Sequence, residues 1–573
     1  MNVLGINVSN DAAASLVRDG HVIAASQEER FSRQKHDGSF PARAIAFCLK
    51  EGGITFDEVD EVAFFWNPGI HAEALYRGSS GRRHHLEFLY SLPNQLLTRF
   101  HDGRAVEGVR QEFRLAGGKK LGIEYVTHHL AHVASAFYRS NFESAAALII
   151  DGYGERSAAT IARCDGTRIE TVHSIEFPNS LGSFYAAFTQ YLGFKANDGE
   201  GKVMGLASYG GPSEFMEPIQ KLITLTPDGF EIDLRYFSYY TDQRRRYSRR
   251  LTDLLGPERR PESGLTRRDY DIAYAMQAAT ERTMLHLAQL AKEKTGLSRL
   301  VMAGGVVLNC VANGRIQREV GFDECYFQPC AGDAGTSMGA ALYVAHDRGA
   351  PRVTHPMTDY LGPEYDDVSV KAELDRGRVP YLPVADVTTV AARAIADGKI
   401  IGWFQGRAEF GPRALGNRSI LCDPRIPDMK DVLNARVKFR EPFRPFAPSI
   451  LEQAATTYFD DGGVPSPFML VVSDTRPEHV KTLASVTHVD GGARVQTVTP
   501  AQNALYYDLI EKVGRLTGVP CVLNTSFNIR GEPIVATPAD AMKCYFTTDM
   551  DLLFVGNYVV YKDLALARAY LDA

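Results

Sequence analysis

Length, composition and charge limit the kind of protein that this chain can be. A chain of 573 residues is too long for one hydrophobic core, and its length suggests about three or four folding units, or two large α/β domains. The net charge of −6 is small for this size and gives no general argument for nucleic-acid binding. The eight cysteines form no C-x-x-C pair, which argues against a zinc ribbon or a disulfide framework and favours a reducing compartment.

The N-terminal sequence predicts a buried strand rather than a targeting segment. Residues 3–7 form a short apolar run that leads straight into polar residues, without the basic region and long apolar core of a signal peptide. No apolar run in the sequence reaches membrane-spanning length. We therefore expect a cytoplasmic protein that does not act at a membrane.

The opening of the chain predicts three successive strands, a helix and a further strand. The strands are expected at residues 3–7, 12–17 and 21–25, the helix at 41–50 and the last strand at 61–66, with a hairpin turn at 18–20. This order favours an α/β half-domain of the actin/sugar-kinase type, because a Rossmann unit would turn into a helix after its first strand.

The rest of the chain continues the alternation of helices and strands, without an internal repeat in the sequence. A helix is predicted for residues 271–295, a buried strand for 300–303, a second helix for 387–398 and a second strand for 400–404. A proline-rich stretch at 349–363 marks a domain boundary, so we expect two α/β domains, at residues 1–350 and 351–573.

Two histidines, His128 and His132, form the most informative pattern in the sequence. If residues 131–138 continue as a helix, the two imidazoles lie one turn apart on one face and can bind one metal ion. The Glu that follows the first His in zinc proteases is absent, because this position holds His129. On its own, the pair is equally compatible with two surface histidines.

Two aspartates extend this pattern to four candidate ligands. Asp151 follows the apolar run 145–150, at the carboxyl end of a predicted strand, and Asp333 lies between small residues that let the backbone approach a ligand. Two nitrogen and two hard oxygen ligands suit Fe(II), Mn(II) or Zn(II) and leave coordination open for a substrate oxygen. Asp333 alone could equally cap the next helix, and only the combination favours a metal.

Two further patterns in the first half are less specific. Gly304 and Gly305 follow a predicted strand, which fits a nucleotide packed against bare backbone, although ordinary turns use the same pair. Asn309 follows on the next turn. Arginines are dense between residues 244 and 268, which we interpret as a solvated, mobile loop, with a positively charged substrate lid as the alternative.

The second half contains a denser set of cations, interleaved with Phe, Pro and Gly. Arg forks and a Lys point charge are what a phosphate dianion or a triphosphate requires, and hydroxyl and amide side chains at a strand end can complete such a site. Surface salt bridges are the alternative, and nucleic acid is a third interpretation that the acidic overall balance opposes. The cations lie in the stretches 411–418, 438–440 and 443–446 and at Arg530, with Asn524, Ser526 and Asn528 after the predicted strand 519–523.

These motifs together carry a resemblance that covers nearly the whole chain. The chain resembles the carbamoyltransferases of antibiotic and nodulation-factor biosynthesis, and the matching segments keep the order of that family. Each segment alone is unspecific, but the set is highly specific. The segments are 3–7, 28–36, 128–132, 203–207, 303–309, 411–416, 444–449 and 523–533.

The resemblance implies a fold and a two-stage reaction. The first domain would be similar to the tRNA threonylcarbamoyl-transferase fold of the actin/sugar-kinase class, and the second to the YrdC carbamoyl-adenylate-forming fold. The second domain would form carbamoyl adenylate from carbamoyl phosphate and ATP, by positioning and charge neutralisation. The first would transfer the carbamoyl group to a hydroxyl or amine of a small metabolite, beside a divalent cation, with Fe(II) favoured over Mn(II) and Zn(II).

The resemblance also implies roles for particular residues and partners. The transfer chemistry is assigned to Asn10, Asp11, Lys35, His36 and Arg413, and the metal to His128, His132, Asp151 and Asp333. The cosubstrates are assigned to Lys202, Gly205, Gly304, Gly305, Asn309, Arg413, Lys438, Arg440, Arg444, Arg494, Asn524, Ser526, Asn528 and Arg530. The implied partners are ATP, carbamoyl phosphate and a small-molecule acceptor, without nucleic acid; a homodimer is left open. Acceptor contacts are expected in residues 72–103 and 234–268.

Asn10 departs from the family pattern, which usually has His at this position. An amide cannot take up a proton at neutral pH and can only form hydrogen bonds. Lys35, His36 or Asp11 could transfer the proton instead, the cation and leaving group could suffice, or transfer could be altered or lost. We favour the first two outcomes, because the other motifs are intact.

Three other functions are alternatives to a small-molecule carbamoyltransferase. In a nucleotide-binding regulatory protein, Asn10 would mark the loss of transfer. Synthesis of threonylcarbamoyladenosine in tRNA ranks lower, because it needs partners and a basic RNA face, and its two halves normally come as separate chains. Carbamoyl transfer in hydrogenase maturation ranks lowest, because the acylphosphatase and Cys-rich zinc segments of that family are missing.

Overall fold

The computed structural model describes residues 1–67, 108–114, 118–242 and 244–571, which fall into two units. The first unit contains Met1–Ala25 and Gly38–His355, and the second contains Ser26–Asp37 and Pro356–Ala573. The chain therefore leaves the first unit early, contributes a short segment to the second, and returns.

Among the described residues before 356, single strands and runs of two or three strands are separated by helices. The strands are β1 (Asn2–Asn7), β2 (Ala13–Arg18), β3 (His21–Gln27), β4 (Glu61–Phe64), β5 (Gly108–Arg114), β6 (Lys120–Val126), β7 (Ser144–Ile150), β8 (Ser157–Asp165), β9 (Arg168–Glu176), β10 (Ile223–Thr226), β11 (Gly229–Ile232), β12 (Arg299–Ala303) and β13 (Glu324–Phe327). The helices are α1 (Glu29–Ser32), α2 (Ala42–Glu51), α3 (His128–Phe137), α4 (Leu181–Tyr191), α5 (Glu200–Ala207), α6 (Met216–Gln220), α7 (Arg249–Leu255), α8 (Arg267–Thr295), α9 (Cys310–Glu319) and α10 (Ala334–Asp347).

Two sheets of the first unit share one topology. Their strand orders are β3-β2-β1-β4-β6-β5 and β13-β12-β7-β8-β9. In the first sheet, β1 pairs antiparallel with β2 and parallel with β4. In the second, β7 pairs antiparallel with β8 and parallel with β12. Both β4 and β12 come after a helix in the chain. The same arrangement thus occurs twice in a chain whose sequence shows no repeat, and it agrees with the half-domain predicted from the first 66 residues.

Close packing of α10 in the first unit depends on glycine. A Cβ atom on Gly339 of α10 would lie 1.8 Å from the carbonyl oxygen of Ala131 in α3. A Cβ atom on Gly5 of β1 would lie 1.9 Å from the carbonyl oxygen of Ser337 in α10. These close approaches bring α10 against both α3 and β1, and no larger residue fits at either glycine without a shift of backbone.

The second unit is a mixed α/β structure around an eight-stranded sheet. The strand order is β14-β24-β23-β15-β16-β22-β17-β21. The strands are β14 (Tyr381–Pro383), β15 (Ile401–Phe404), β16 (Arg418–Cys422), β17 (Ala447–Leu451), β18 (Phe459–Asp460), β19 (Val472–Thr475), β20 (Gly492–Arg494), β21 (Gln496–Val498), β22 (Cys521–Ser526), β23 (Leu552–Val555) and β24 (Tyr558–Tyr561). The helices are α11 (Asp367–Gly377), α12 (Val387–Ala396), α13 (Met429–Leu433), α14 (Glu452–Tyr458), α15 (Pro500–Thr517), α16 (Pro538–Phe546) and α17 (Leu564–Leu571).

Both faces of this sheet are buried, because side chains alternate along each strand. Ile401 and Trp403 of β15 pack with α12 and α15, whereas Phe404 packs in the cluster that contains α11 and α16 residues. A central strand that is buried on both faces has a continuous apolar sequence. The apolar run at 400–404 predicted β15 for this reason.

The predicted elements are present, with shifted boundaries. The strand predicted at 519–523 is observed as Cys521–Ser526, so Asn524 and Ser526 lie within β22 rather than after it. The helix predicted at 271–295 begins earlier, at Arg267, where Thr266 and Asp269 form a capping box. Among the described residues, no helix is long and apolar enough to span a membrane.

The arginine-rich segment before α8 is more ordered than predicted. Arg259 donates a hydrogen bond to the carbonyl oxygen of Leu192 at 2.7 Å, and its guanidinium lies 4.9 Å from the centre of the Phe194 ring. Arg268 donates to the carbonyl oxygen of Leu255. The interpretation of a wholly solvated loop is therefore wrong for these residues, because their side chains bind the backbone of neighbouring segments.

Candidate functional site

Four candidate metal ligands converge in the first unit from three separate chain segments. His128 and His132 lie in the first half of α3, Asp151 directly follows β7, and Asp333 directly precedes α10. The i, i+4 spacing on α3 places both imidazoles on one face, as the sequence predicted. The packing of α10 against α3 then brings Asp333 to the same place.

The distances between the donor atoms fit one bound cation. His128 Nε2 lies 3.0 Å from Asp151 Oδ2 and 3.2 Å from His132 Nε2. Asp333 Oδ1 lies 3.5 Å from His128 Nε2 and 3.9 Å from His132 Nε2. One donor atom from each of the four side chains lies within 4.8 Å of the others. Donors that each bind a metal at about 2.0–2.2 Å are separated by such distances, so the set fits a divalent cation such as Fe(II), Mn(II) or Zn(II).

This cluster is buried on one side and accessible on the other. His128, His132 and Asp151 are at most 6% exposed, whereas Asp333 is partly exposed. Among the described residues, neither His128 Nδ1 nor His132 Nδ1 has a hydrogen-bond partner, so helix packing orients the rings. The accessible side at Asp333 is where a substrate oxygen could approach a bound cation.

The electrostatics of the cluster favour positive charge between the carboxylates. Burial lowers the pKa of His128, but the Asp333 and Asp151 carboxylates outweigh burial and raise that pKa to about 10. Burial lowers the pKa of His132. For Asp151, hydrogen bonds with the two imidazoles outweigh burial, and its pKa is well below the usual range. One imidazole therefore carries the positive charge that the carboxylates require.

Glu155, which the sequence reading did not single out, supports the start of α3. Its Oε1 accepts hydrogen bonds from the backbone N–H of Asn67 at 2.7 Å and of His128 at 3.0 Å. Glu155 is 4% exposed, and burial raises its pKa although His128 opposes this. The carboxylate therefore satisfies a first-turn amide of the helix that carries both histidines and fixes that turn relative to Asn67, three residues after the end of β4.

The other two ligand segments have similar supports. The backbone N–H of Gly305 donates to Asp151 Oδ1 at 2.9 Å, which leaves Oδ2 directed at the histidines. Asn7 Nδ2 donates to the backbone carbonyl oxygen of Asp333 at 2.6 Å and to Thr336 Oγ1 at 2.8 Å. Each ligand segment is thus held by a residue outside it, as is usual around metal ligands.

Gly304 and Gly305 have a structural role in addition to the predicted nucleotide contact. Gly304 has a φ of +98°, and a Cβ atom there would lie 2.3 Å from the carbonyl oxygen of Ile150. The turn can approach β7 only without a side chain, and this approach allows Gly305 to reach Asp151.

The remaining first-unit candidates lie in less distinctive surroundings. Asn309 exchanges two hydrogen bonds with the Gln277 amide, each at 3.0 Å, and caps α9. Lys202 lies on α5 with its ammonium 5.7 Å from the centre of the Phe194 ring, and Gly205 is buried in the same helix. The amide of Asn309 is thus used within the fold.

The candidates for proton transfer are divided between the two units. Asn10, which is exposed, and Asp11 follow β1 in the first unit. Lys35 and His36 belong to the second unit, where the His36 backbone N–H donates to Glu29 Oε2 at 2.9 Å. The predicted acceptor segment at residues 72–103 lies outside the described residues.

A buried lysine is the central feature of the candidate site in the second unit. Lys438 is 3% exposed, and its ammonium donates to the backbone carbonyl oxygens of Ser526 at 2.6 Å and Asn528 at 2.9 Å. It also donates to Asn528 Oδ1 at 2.9 Å. Burial, with Arg440 nearby, holds the pKa of Lys438 well below its usual range. Two sequence motifs that are remote in the chain thus meet at this ammonium.

Further cations lie close to Lys438, first among them Arg440 and Arg444. The pKa of Arg440 is lowered well below its usual range by burial and then by the charges of Arg444 and Arg494. Glu441 lies 3.9 Å from Arg444 and 3.7 Å from Arg530. The structure therefore brings together five predicted cations, which are Lys438, Arg440, Arg444, Arg494 and Arg530. We refer to these five residues as the cation cluster.

Arg413 lies in a loop that buried polar side chains hold in place. Asn524, which is 1% exposed, donates to the carbonyl oxygen of Ala414 at 3.2 Å. Glu409 Oε1 accepts hydrogen bonds from the backbone N–H groups of Leu415, Asn417 and Arg418. Asn524 and Glu409 therefore order the loop 411–417 from two sides.

Arg418, the last residue of the cation-rich stretch 411–418, is a structural residue. It is fully buried, and its guanidinium donates to the backbone carbonyl oxygens of Gln405, Gly406 and Pro363. Its guanidinium carbon lies 3.7 Å from the centre of the Phe404 ring. The residue begins β16, and its side chain is buried in the core.

Sequence reasoning missed the residues that hold the ligands rather than bind them. Glu155, Asn7 and Glu409 each accept or donate hydrogen bonds that orient a candidate segment. The only sequence signal for Glu155 is an acidic residue four positions after Asp151 in a glycine-rich stretch, which is too common to be specific.

Fold and site together define an α/β protein with a candidate metal centre in one unit and a cation cluster in the other. Two family descriptions match the chain: carbamoyltransferase N-terminus over residues 2–342 and carbamoyltransferase C-terminus over residues 392–562. The chain therefore belongs to the carbamoyltransferase family.

Similar proteins support this membership. The chain is 41% identical to an uncharacterized protein of Synechocystis, over 98% of this chain and 97% of that protein. It is 39% identical to nodulation protein NolNO of Sinorhizobium fredii, over 97% of this chain and 79% of that protein. A crystal structure of full-length HypF in the phosphate- and nucleotide-bound form matches 61% of this chain and 56% of that one, at 16% identity and a TM-score of 0.31, which is too low to support an argument.

Proposed function

We propose that this protein is an ATP- and divalent-cation-dependent carbamoyltransferase. In its second unit, water would cleave carbamoyl phosphate to carbamate and orthophosphate, and the carbamate oxygen would attack the α-phosphorus of ATP to give carbamoyl adenylate and pyrophosphate. Its first unit would transfer the carbamoyl group to a hydroxyl or amine of a small metabolite, with AMP as the leaving group. Family membership identifies the transferred group as carbamoyl. The presence of one candidate site in each unit supports adenylation in one unit and transfer in the other.

The single observation that carries this proposal is the burial of Lys438 within the cation cluster. An ammonium that is 3% exposed, donates to the oxygens of Ser526 and Asn528 and lies beside guanidinium groups costs free energy to bury. A phosphate anion offsets that cost and returns the pKa of Lys438 towards its usual range. A cluster of this kind stabilises the charge that develops when a nucleotide loses pyrophosphate.

The second unit is accordingly assigned to a carbamoyl-adenylate-forming, YrdC-like domain. The contact between the Lys438-Phe439-Arg440 motif and the Ser526-Phe527-Asn528 motif supports this assignment, because the ammonium of one binds the oxygens of the other. In this reaction Lys438, Arg440 and their neighbours bind and orient the phosphate groups, and the ordered loop 411–417 places Arg413.

In the first unit, His128, His132, Asp151 and Asp333 would hold the divalent cation, which would neutralise charge on a substrate oxygen when bound. Glu155 and Asn7 hold the histidine and Asp333 segments in register. Asn10 offers a hydrogen bond but no proton transfer at neutral pH, so Asp11 is the candidate proton acceptor within this unit.

Release of pyrophosphate from ATP on addition of carbamoyl phosphate tests the adenylation step. We expect release that requires both compounds and that Lys438→Met abolishes. Lys371→Met is the matched control, because Lys371 is exposed on α11 and pairs with Asp375. A protein that binds nucleotide but releases no pyrophosphate would instead be a regulatory homologue. A panel of hydroxylated and aminated metabolites, with mass detection of a carbamoyl adduct, then identifies the acceptor.

A further inference from the structure

The second unit contains one segment that is remote from the rest of it in sequence. Ser26–Asp37 belongs to this unit, whereas the residues on both sides of it belong to the first unit. Glu28, Glu29 and Arg30 of this segment are each at most 8% exposed. Charged side chains are buried to this extent only where they make specific polar contacts, so these contacts indicate the role of the segment.

Arg30 binds the first residue of the loop that contains Arg413. Its Nη2 donates to the carbonyl oxygen of Gly411 at 2.6 Å and to Gln27 Oε1 at 3.0 Å. Gly411 has a φ of +136°, which favours glycine, so the loop begins with a backbone conformation that needs external support. Glu409 holds the far end of the same loop. Arg413 therefore lies between two charged anchors.

Arg33 binds the loop that follows β22. Its Nη1 donates to the carbonyl oxygen of Ile534 at 2.7 Å and its Nη2 to that of Pro533 at 2.9 Å. The adjacent carbonyl oxygen, of Glu532, accepts a hydrogen bond from Asn528 Nδ2 at 2.6 Å, and Asn528 in turn accepts from Lys438. The loop backbone that Arg33 binds is thus linked to Lys438 through Glu532 and the side chain of Asn528.

We propose that Arg30 and Arg33 are positioning residues for the phosphate site of the second unit. The identity of the phosphate ligand in this inference rests on the proposed function. A guanidinium keeps its charge at every physiological pH and offers donors in a fixed planar arrangement, so it can hold backbone carbonyls in one geometry. The segment 26–37 therefore completes a site whose ligands all come from residues 413–530.

The consequence is that residues 351–573 do not contain the complete adenylation site. Catalysis by positioning is sensitive to displacements of about 1 Å, and such a displacement of a ligand loop can lower the rate about 100-fold. Arg30 and Arg33 touch no substrate in this scheme, and act through the loops that contain Arg413 and Asn528. Arg33 Nε also lies 3.3 Å from Asp540 Oδ1 at the start of α16.

The test uses Arg30→Met and Arg33→Met in the full chain, with Arg515→Met as control, because Arg515 is exposed and pairs with Glu511 on its own helix. Hydrogen–deuterium exchange is measured without substrates, together with metal content, unfolding temperature and pyrophosphate release. We expect Arg30→Met to raise exchange in residues 411–418 and Arg33→Met to raise it in 528–535. Each should lower kcat/KM for carbamoyl phosphate about 100-fold at unchanged metal content.

Unchanged exchange in both loops would overturn the inference, and so would a uniform rise throughout the second unit, which indicates a general structural role. If a Met variant does not fold, Arg30→Lys and Arg33→Lys are measured in the same way, since Lys keeps the charge but loses the planar geometry. If the wild-type protein releases no pyrophosphate, the proposed function fails, while the exchange pattern still decides whether Arg30 and Arg33 hold these two loops.

Discussion

At the scale of single residues, His128 of the candidate metal site carries a proton that a bound cation must displace. Asp333 and Asp151 raise the pKa of His128 to about 10 against the effect of burial, so this imidazole is protonated at neutral pH in the metal-free protein. A His nitrogen must lose its proton to bind a metal. Because the folded pKa lies above the unfolded value, this interaction contributes stability that is fully present below about pH 6.5 and is lost as pH rises through about 10.

We therefore expect the metal affinity to increase with pH. Displacement of one proton per cation predicts an increase of about tenfold per pH unit between pH 6 and 9. Competition with a chelator of known affinity, at several pH values, measures this slope. An affinity independent of pH over this range would show that His128 is not a ligand or is not protonated.

Glu155 acts on the same site through backbone hydrogen bonds. Glu155→Gln keeps an acceptor oxygen for the N–H groups of Asn67 and His128, whereas Glu155→Ala leaves two buried donors without it. We expect Glu155→Ala to lower the free energy of unfolding by about 1–3 kcal/mol per lost partner, and Glu155→Gln much less. Both should lower the metal affinity, because the first turn of α3 loses a negative charge.

Thermal unfolding and metal content of both variants provide the measurement. Glu170→Gln, at an exposed position on β9, is the control. Full metal binding by Glu155→Ala would exclude a role for this carboxylate in placing His128.

We expect the proposed phosphate binding at Lys438 to be sensitive to alkaline pH. Burial and Arg440 hold its pKa well below its usual range, so it loses its proton at a lower pH than an exposed lysine. Since only the charged ammonium attracts phosphate, we expect KM for carbamoyl phosphate to rise with pH before exposed lysines titrate. Lys438→Arg should move this rise to higher pH, because a guanidinium keeps its proton. A KM profile that is identical in the two proteins would remove Lys438 from the phosphate site.

At the scale of elements, the close approach of α10 to α3 sets the position of Asp333 relative to His128 and His132. Gly339→Ala would place a Cβ atom 1.8 Å from the carbonyl oxygen of Ala131, so the helices must separate. We expect a loss of about 1–3 kcal/mol in the free energy of unfolding and a weaker metal site, because Asp333 precedes the displaced helix. Gly201→Ala is the control, since a Cβ atom there meets nothing within 4 Å.

Denaturant unfolding and chelator competition measure these two effects. Gly201→Ala should be neutral or gain up to about 1 kcal/mol, because alanine favours a helix. Equal behaviour of the two variants would contradict the importance of this helix contact.

The elements also show which local structure the sequence could predict. The run of three strands at the N-terminus and the helix at His128 follow from periodicity and turn residues, and they are present within a few residues of the predicted bounds. Arg418 ends a stretch of glycines and arginines that as a whole predicts a phosphate site. Its burial under Phe404 depends on where β16 begins, and no local pattern sets that position.

At the scale of the whole molecule, the two candidate sites lie in different units and should be separable. We expect His132→Ala to lower metal content and abolish carbamoylation of an acceptor while pyrophosphate release continues. Lys438→Met should abolish pyrophosphate release while metal content is kept. His173→Ala, on β9, is the control for the first variant. Loss of pyrophosphate release in His132→Ala, or loss of metal in Lys438→Met, would contradict two separate sites.

The sequence by itself determined the α/β class, the position of most strands and helices, the identity of the metal-ligand candidates and the family. These follow from local periodicity, residue chemistry and motif order, which are properties of neighbouring residues. The tertiary structure decided that Asp333 meets His128, that Ser26–Asp37 belongs with the second unit, and that Glu155, Arg30 and Arg33 hold backbone groups. Such contacts join residues up to several hundred positions apart, and only the packing of whole elements brings them together.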